Sequence, residues 1–249
     1  MNIAMVDLLT QIPFYDRYLS QAVAPLVDKL TLYAIRFHHE LDYFDDADID
    51  RSPGMVDWVS GLQLQRRSLR QAGKLTEYFL NWLYLSYRFR KAPPDVVHIQ
   101  WLPLLPWVEW ELHFVEWIRR SGSRLVYTVH NWVPHERSSG DLARYRDAYA
   151  LMDHLIAHTA GDVSQLVDHL GLSTENITLI PHGSVLCEQS DWRQQDARNE
   201  IGIRPADGTV FLMLGVIRPY KGIEEAVRAL SEVIKTHPRC ILIVAGNPL

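Results

Sequence analysis

The segment that decides the fold is residues 209–245, TVFLMLGVIRPYKGIEEAVRALSEVIKTHPRCILIVA. Two apolar runs of strand length, residues 209–214 and 240–245, flank residues 223–235, in which apolar residues recur at helical spacing. A strand, a helix and a second strand in this order predict a βαβ unit with parallel strands. Two parallel strands cannot bury both faces of a sheet, so we expect this unit to begin a second, incomplete domain.

Residues 1–183 show the same alternation of strand and helix. Apolar runs predict buried strands at residues 3–6, 95–100, 124–129, 154–157 and 176–180. Helical spacing predicts two apolar helix faces, one of Trp107, Trp110, Phe114 and Trp117 and one of Val163, Leu166, Val167 and Leu170. The predicted fold class is α/β. It has a complete Rossmann-like parallel-sheet domain over residues 1–183, then a linker and the first βαβ unit of a second such domain over residues 184–249.

The composition of the chain limits the kinds of molecule that it is expected to bind. The chain has 249 residues, of which 47% are hydrophobic and 22% charged, as in globular proteins. A net charge of -5 argues against nucleic acid as a partner. Cys187 and Cys240 match no disulfide or zinc spacing, which fits a reducing cytoplasm.

Targeting signals are not expected. Residues 1–7 lack the basic start of a secretory signal. The most apolar later stretch, residues 96–108, contains Pro103 and Pro106 and is shorter than the ~20 residues of a membrane-spanning helix. We therefore expect a cytoplasmic protein that is soluble or peripheral on the inner face of the membrane.

The loop after residue 214 carries the strongest chemical motif, Gly215-Val-Ile-Arg218-Pro-Tyr-Lys221-Gly222. The two glycines permit tight turns, the following helix offers free N–H groups at its start, and Arg218 and Lys221 add positive charge. Ligands of parallel α/β sheets bind at the carboxyl ends of strands, where this loop is expected. The sequence therefore predicts a diphosphate site formed by Gly215, Arg218, Lys221 and Gly222.

This loop resembles the donor-phosphate loop of family 4 glycosyltransferases, which are retaining enzymes with the GT-B fold. Other segments agree in order: Gln100 after its strand, Thr128-Val-His130-Asn131, Ala157-His158-Thr159 and Ile180-Pro-His182-Gly183. The resemblance implies that Arg218 and Lys221 hold the donor diphosphate and that His130 is the catalytic-site histidine at the transferred sugar. Asn131, His158, Thr159, His182 and Gly183 are then possible residues of the same cleft.

The resemblance also implies the reaction. A UDP- or GDP-sugar is the expected donor, and a glycan or polyprenyl-linked sugar is the expected acceptor, in polysaccharide or glycoconjugate biosynthesis. No cofactor or divalent metal is required, because two cations and a helix dipole can neutralise the leaving diphosphate. A zinc pair is not expected either, since His154 and His158 on a strand lie ~13 Å apart. Residues 38–40 and the group His130, His135 and Glu136 remain minority metal options.

Two departures from the family stand out. The first loop has Leu8-Leu-Thr-Gln-Ile-Pro13 instead of a glycine pair, and Tyr15 and Tyr18 are candidates to fill that space. The chain ends at Leu249, before the family's paired glutamates, so we expect half of the donor site to be missing. The isolated chain is then expected neither to transfer sugar nor to bind nucleotide sugars tightly.

Two other classes of function stay open. One is a sugar-nucleotide epimerase of the same architecture, which needs no acceptor. The other is a non-catalytic fragment or acceptor-binding subunit that needs a partner to complete the donor site. A dinucleotide enzyme is disfavoured, because residues 6–9 lack the G-x-G-x-x-G turn.

Residues 66–91 combine basic and aromatic residues. The only acidic residue among them is Glu77. Such a pattern suits an anionic membrane surface, and family 4 members that extend lipid-linked glycans often use one. An ordinary helix with a buried aromatic stripe and solvated arginines is the competing interpretation.

Overall fold

The computed structural model describes residues 1–37, 41–45, 49–62, 66–132, 142–183, 191–204 and 208–246. The chain forms two compact units, Met1–Cys187 and Glu188–Leu249, named here the first and the second unit. The division predicted from the sequence follows Gly183.

The first unit contains a sheet of six parallel strands, in the spatial order β2-β1-β3-β4-β5-β6. The strands are β1 (Asn2–Asp7), β2 (Lys29–Ala34), β3 (Val96–Ile99), β4 (Arg124–Val129), β5 (His154–Ala157) and β6 (Ile177–Leu179). Each of the five predicted strands is confirmed. Strand β2 was not predicted, because polar Thr31 interrupts its apolar run. The Thr31 hydroxyl donates a hydrogen bond to the Asp50 carboxylate.

Helices cover the sheet of the first unit on both faces. They are α1 (Pro13–Val23), α2 (Arg67–Lys91), α3 (Trp110–Arg120), α4 (Leu142–Ala150) and α5 (Ala160–Leu170). Ala4 and Val6 of β1 join the larger hydrophobic cluster with residues of α2 to α5, whereas Met5 joins a smaller cluster that includes Leu19 of α1. Side chains alternate along a strand, so α1 lies on the opposite face from the other four helices.

The buried faces of α2 and α3 hold these two helices together. Tyr78, Trp82, Leu85 and Phe89 of α2 are buried at helical spacing. On α3 the buried residues are Glu111, Phe114, Val115 and Ile118, and Glu111 accepts a hydrogen bond from the Tyr78 hydroxyl. The predicted α3 face is wrong in part: Trp107 precedes the helix and is 62% exposed, and Trp117 is 53% exposed. Phe114 of the predicted face is buried, and the smaller Val115 and Ile118 complete the core face in place of Trp107 and Trp117.

The second unit confirms the predicted βαβ unit. It contains α6 (Gln194–Glu200), β7 (Val210–Leu214), α7 (Ile223–Val233) and β8 (Ile241–Ala245). The two strands pair in parallel, from Val210 opposite Ile241 to Leu214 opposite Ala245. Phe211, Leu212 and Leu214 of β7 are exposed, so both faces of this strand carry apolar side chains at the surface.

Membrane-spanning helices were sought in the described part of the chain. No helix there combines the length and the hydropathy that crossing a bilayer requires.

Two leucines of α2 test how strongly the larger cluster stabilises the first unit. Leu85 is 0% exposed and Leu83 is 40% exposed. We expect Leu85→Ala to lower the free energy of unfolding by about 2–5 kcal/mol, because it removes buried methyl groups and leaves a cavity. Leu83→Ala is the matched control, with an expected change within about 0.5 kcal/mol. Urea titrations followed by tryptophan fluorescence measure both values, and equal losses would contradict this packing.

Candidate functional site

Three histidines meet at the carboxyl edge of the sheet in the first unit. His130 follows β4, His158 follows β5 and His182 lies beyond β6. Their rings surround the ring of Tyr15, with centroid distances of 4.9 Å to His130, 5.5 Å to His158 and 5.3 Å to His182. The His158 centroid lies 4.9 Å from that of His182 and 5.5 Å from that of His130. Parallel strands end at one edge, which explains why residues distant in sequence cluster here.

His130 is held on several sides. Trp101 stacks on its ring at a centroid distance of 4.9 Å and an interplanar angle of 9°. The side-chain oxygen of Gln100 lies 3.2 Å from its Nε2. Burial, with the imidazoles of His158, His182 and His98, lowers the pKa of His130 to about 3. The ring is therefore neutral at pH 7, with one N–H donor and one acceptor nitrogen.

A buried polar layer lies next to His130 on the sheet. His98 Nε2 is 2.8 Å from the Thr128 hydroxyl and 3.3 Å from the Gln100 amide nitrogen. Gln100 and Thr128 are 0% exposed, and burial lowers the pKa of His98 to about 4. The layer thus links β3 and β4 beneath the histidine cluster.

His158 and His182 are oriented by main-chain carbonyls. Nδ1 of His158 donates to the carbonyl oxygen of Ile180 at 2.9 Å, and Nδ1 of His182 donates to that of Gly183 at 2.7 Å. No hydrogen-bond partner of His158 Nε2 is found among the described residues. The bond to Ile180 ties the loop after β5 to the end of β6.

The other predicted cleft residues have structural contacts of their own. Thr159 is the N-cap of α5: its hydroxyl oxygen accepts from the Asp162 amide at 3.0 Å and donates to the Asp162 carboxylate at 2.6 Å. The carbonyl of Asn131 accepts from the Tyr149 hydroxyl at 3.4 Å. A ligand role for Asn131, Thr159 or Gly183 stays a prediction.

A pair of buried carboxyl groups shapes the loop after β1. Asp7 accepts hydrogen bonds from the amides of Leu9, Gln11 and Ile12 at 3.3, 2.6 and 3.4 Å. Burial raises the pKa of Asp16 well above its ordinary range, and the charge and hydrogen bond of Asp7 raise it further. Burial raises the pKa of Asp7 as well, but its hydrogen bonds to Asp16 and to the three amides lower it, so Asp16 is the more readily protonated of the two. This loop leads into α1 and sets the position of Tyr15.

The predicted diphosphate loop in the second unit lies between β7 and α7. Gly215 has a φ of 120° and Gly222 a φ of 70°, conformations that disfavour other residues. Lys221 closes the short turn with a 3.0 Å bond from its amide to the Arg218 carbonyl. Gly246 packs against this loop, since a Cβ there would lie 1.8 Å from the Gly215 oxygen. Gly222 caps α7 without a side-chain bond, which leaves amides at the helix start for an anion.

Metal ligands were sought in the described part of the chain. It contains no group of three or more His, Cys, Asp or Glu residues placed to hold a metal ion. The minority options at residues 38–40 and at His135 and Glu136 lie outside the described residues.

Several residues of this site were not predicted from the sequence. They are His98, Trp101, Asp7 and Asp16; Gln100 was predicted only as the residue after a strand. His98 and Gln100 alternate with Val97 and Ile99 on β3, and two buried polar residues at period two were an available signal.

A Rossmann-like parallel sheet has its polar cluster at the carboxyl edge, and the second unit carries a loop with glycines and cations between β7 and α7. Together they define the α/β, GT-B-like class of glycosyltransferase folds. The chain belongs to glycosyltransferase family 4, which it matches over residues 25–184.

The chain is also similar to a named glycosyltransferase in sequence and to two solved structures in fold. D-inositol 3-phosphate glycosyltransferase from Acidothermus cellulolyticus is 31% identical over 171 residues, which cover 62% of this chain and 36% of that protein. HepE from Anabaena, solved with UDP and glucose, has a TM-score of 0.68 at 15% identity, over 100% of this chain and 62% of that one. UDP-GlcNAc 2-epimerase from Methanocaldococcus jannaschii has a TM-score of 0.55 at 12% identity, over 98% of this chain and 65% of that one. The chain thus spans only part of each protein.

The low pKa of His130 predicts a pH dependence of stability. Unfolding returns its pKa from about 3 to the ordinary value near 6.5. Between these values the unfolded chain binds one more proton, so stability is lost as the pH falls, by about 1.4 kcal/mol per pH unit. We expect His130→Asn to reduce this slope between about pH 5.5 and 4, measured by urea unfolding at each pH.

Asn131→Ser is the matched control for this experiment. It changes the neighbouring residue without removing a titratable group, and it should keep the wild-type slope. Parallel curves for wild type and His130→Asn would contradict the buried, neutral His130.

Proposed function

We propose that this chain takes part in transfer of a sugar from a UDP- or GDP-sugar to a glycan or lipid-linked acceptor, with retention at the anomeric carbon. The proposal rests on the family match over residues 25–184. The second unit of the same chain carries Arg218 and Lys221 between β7 and α7. The names of similar proteins support the donor class, since HepE is solved with UDP-glucose. The named relatives are inositol 3-phosphate glycosyltransferases, whose acceptor differs from the one proposed here.

In the proposed reaction, His130 binds the sugar as a neutral ring. A neutral imidazole can donate one hydrogen bond to a hydroxyl and accept another. It adds no positive charge beside a sugar ring that becomes cationic in the transition state. The stack on Trp101 and the bond to Gln100 limit rotation of the ring, so its nitrogens are positioned in advance.

In the proposed reaction, the second unit stabilises the leaving diphosphate. Bond cleavage builds negative charge on the phosphate oxygens. Arg218, Lys221 and the free amides at the start of α7 are the groups that neutralise it. The proposal needs no metal ion or cofactor for this step.

An epimerase would share this donor site, and the similarity to an epimerase structure at 12% identity concerns the fold alone. Product analysis separates the two: a transferase converts the donor only when an acceptor is present, whereas an epimerase releases an altered nucleotide sugar without one. A non-catalytic module would do neither.

Substitution of the two loop cations tests the diphosphate site. In a completed enzyme, we expect Arg218→Ala and Lys221→Ala each to lower turnover by about 10²-fold, because leaving-group stabilisation is lost. Arg228→Ala is the matched control, since Arg228 is an exposed arginine of α7. Transfer of labelled sugar from UDP-glucose to a lipid extract measures turnover, and saturation-transfer NMR with UDP measures donor binding. Normal turnover and UDP binding in both variants would exclude the assignment.

We further propose that α2 and α3 dock on an anionic membrane surface. Leu75, Phe79, Leu83 and Tyr87 are spaced four residues apart on α2 and are all exposed. Leu83 and Tyr87 border a groove of 430 Å³ with Trp117 of α3, and Arg90 and Arg120 also line it. Exposed apolar side chains beside cations suit the boundary between headgroups and acyl chains.

The structure changes which residues of segment 66–91 are available to a membrane. Tyr78, Trp82 and Phe89 are buried in the larger cluster, as in the competing interpretation. Lys74 forms ion pairs with Glu77 at 3.2 Å and Asp57 at 3.8 Å. The membrane-facing set is therefore the exposed stripe with Arg66, Arg70, Arg90 and Lys91.

Vesicle binding tests this surface. We expect the fourfold variant with serine at Arg66, Arg70, Arg90 and Lys91 to bind phosphatidylglycerol-containing vesicles at least tenfold more weakly, at about 1 kcal/mol per cation. The control has serine at four other exposed cations, Arg146, Arg193, Arg228 and Lys235. Equal binding by both variants, or wild-type binding that added salt does not weaken, would disprove membrane docking.

A further inference from the structure

The buried polar layer beside His130 is a continuous chain of side-chain hydrogen bonds. It runs from Thr128 through His98 and Gln100 to His130, with donor–acceptor distances of 2.8, 3.3 and 3.2 Å. Thr128 lies on β4, His98 on β3 and Gln100 directly after β3, and these three side chains are at most 8% exposed. The chain is complete without a bridging water.

The Gln100 amide makes the two histidines depend on one another. An amide presents a donor on one side and an acceptor on the other. When the amide nitrogen of Gln100 contacts His98 and its oxygen contacts His130, His98 Nε2 must be the acceptor. His130 Nε2 must then carry the hydrogen. A flipped amide would reverse both, with hydrogen on His98 Nε2 and on His130 Nδ1. The structure has the first arrangement.

We propose that Gln100 is a positioning residue that fixes His130 as the tautomer with hydrogen on Nε2, so that Nδ1 is the acceptor nitrogen of the ring. The Trp101 stack sets the plane of the ring, and Gln100 sets which nitrogen carries the hydrogen. Catalytic consequences of this assignment rest on the proposed role of His130 in sugar binding, whereas the tautomer itself does not.

Among the described residues, the other groups near His130 do not replace Gln100 in this role. Tyr15 approaches the ring at an interplanar angle of 85°, as an edge-to-face aromatic contact. Trp101 lies parallel to the ring and contacts its face. His158 uses its Nδ1 hydrogen on the Ile180 carbonyl. The in-plane contact at Nε2 is therefore that of the Gln100 oxygen.

The tautomer can be measured directly on the full chain. Long-range ¹H–¹⁵N correlation spectra of the imidazoles distinguish a protonated from an unprotonated ring nitrogen. In the wild type at pH 7 we expect His130 to show a protonated Nε2 and an unprotonated Nδ1. A protonated Nδ1 in the wild type would overturn the proposal, whatever the variants do.

Three variants separate Gln100 from general disturbance of the layer. Gln100→Met keeps the size of the side chain but removes the acceptor, and we expect His130 to become a mixture of both tautomers. Gln100→Glu restores an acceptor and should restore the Nε2 hydrogen. Thr128→Val removes the other partner of His98 and should leave the His130 tautomer unchanged. An unchanged His130 spectrum in Gln100→Met would overturn the proposal.

Activity then tests the link to the proposed function. If His130 holds the sugar, Gln100→Met should lower turnover by about tenfold or more, because a misoriented contact loses its catalytic effect, and Gln100→Glu should recover part of it. A mixed tautomer with full turnover would support the positioning role of Gln100 and exclude the role of His130 in sugar transfer.

Discussion

Parallel pairing of the strands is the constraint on which the rest of this structure depends. Since every strand of the first unit runs in the same direction, the chain leaves the sheet at the same edge after β1, β3, β4, β5 and β6. Residues from distant parts of the sequence therefore meet without any long loop. Tyr15 and the three histidines come from four different connections.

Hydrogen bonds from buried polar side chains fix the conformations of these loops. Asp7 accepts hydrogen bonds from three amides of the first loop, and His158 donates to the carbonyl of Ile180 after the neighbouring strand. Unpaired polar groups are costly in the interior, so each of these bonds favours one loop conformation over its alternatives. The site thus gains its order from the interior beneath it rather than from contacts at the surface.

Much of the fold was predictable from local pattern, since apolar runs identified five of the six strands of the first unit and the whole βαβ unit of the second. The clustering of His130, His158 and His182 also followed from their positions after strands. What escaped prediction depends on tertiary contacts. The α3 face required knowledge of where the helix begins, and the link between His98, Gln100 and Thr128 exists only because β3 and β4 are neighbours. Asp7 raises the pKa of Asp16 only because α1 folds back over the end of β1.

The close approach of Gly246 to Gly215 has a consequence for the evolution of this protein. The carbonyl of Gly215 occupies the space where any side chain at position 246 would begin. A mutation there must displace the main chain at the end of β7, and with it the start of the loop that carries Arg218 and Lys221. Evolution can therefore replace Gly246 by another amino acid only if a compensating change in the loop at Gly215 occurs in the same lineage.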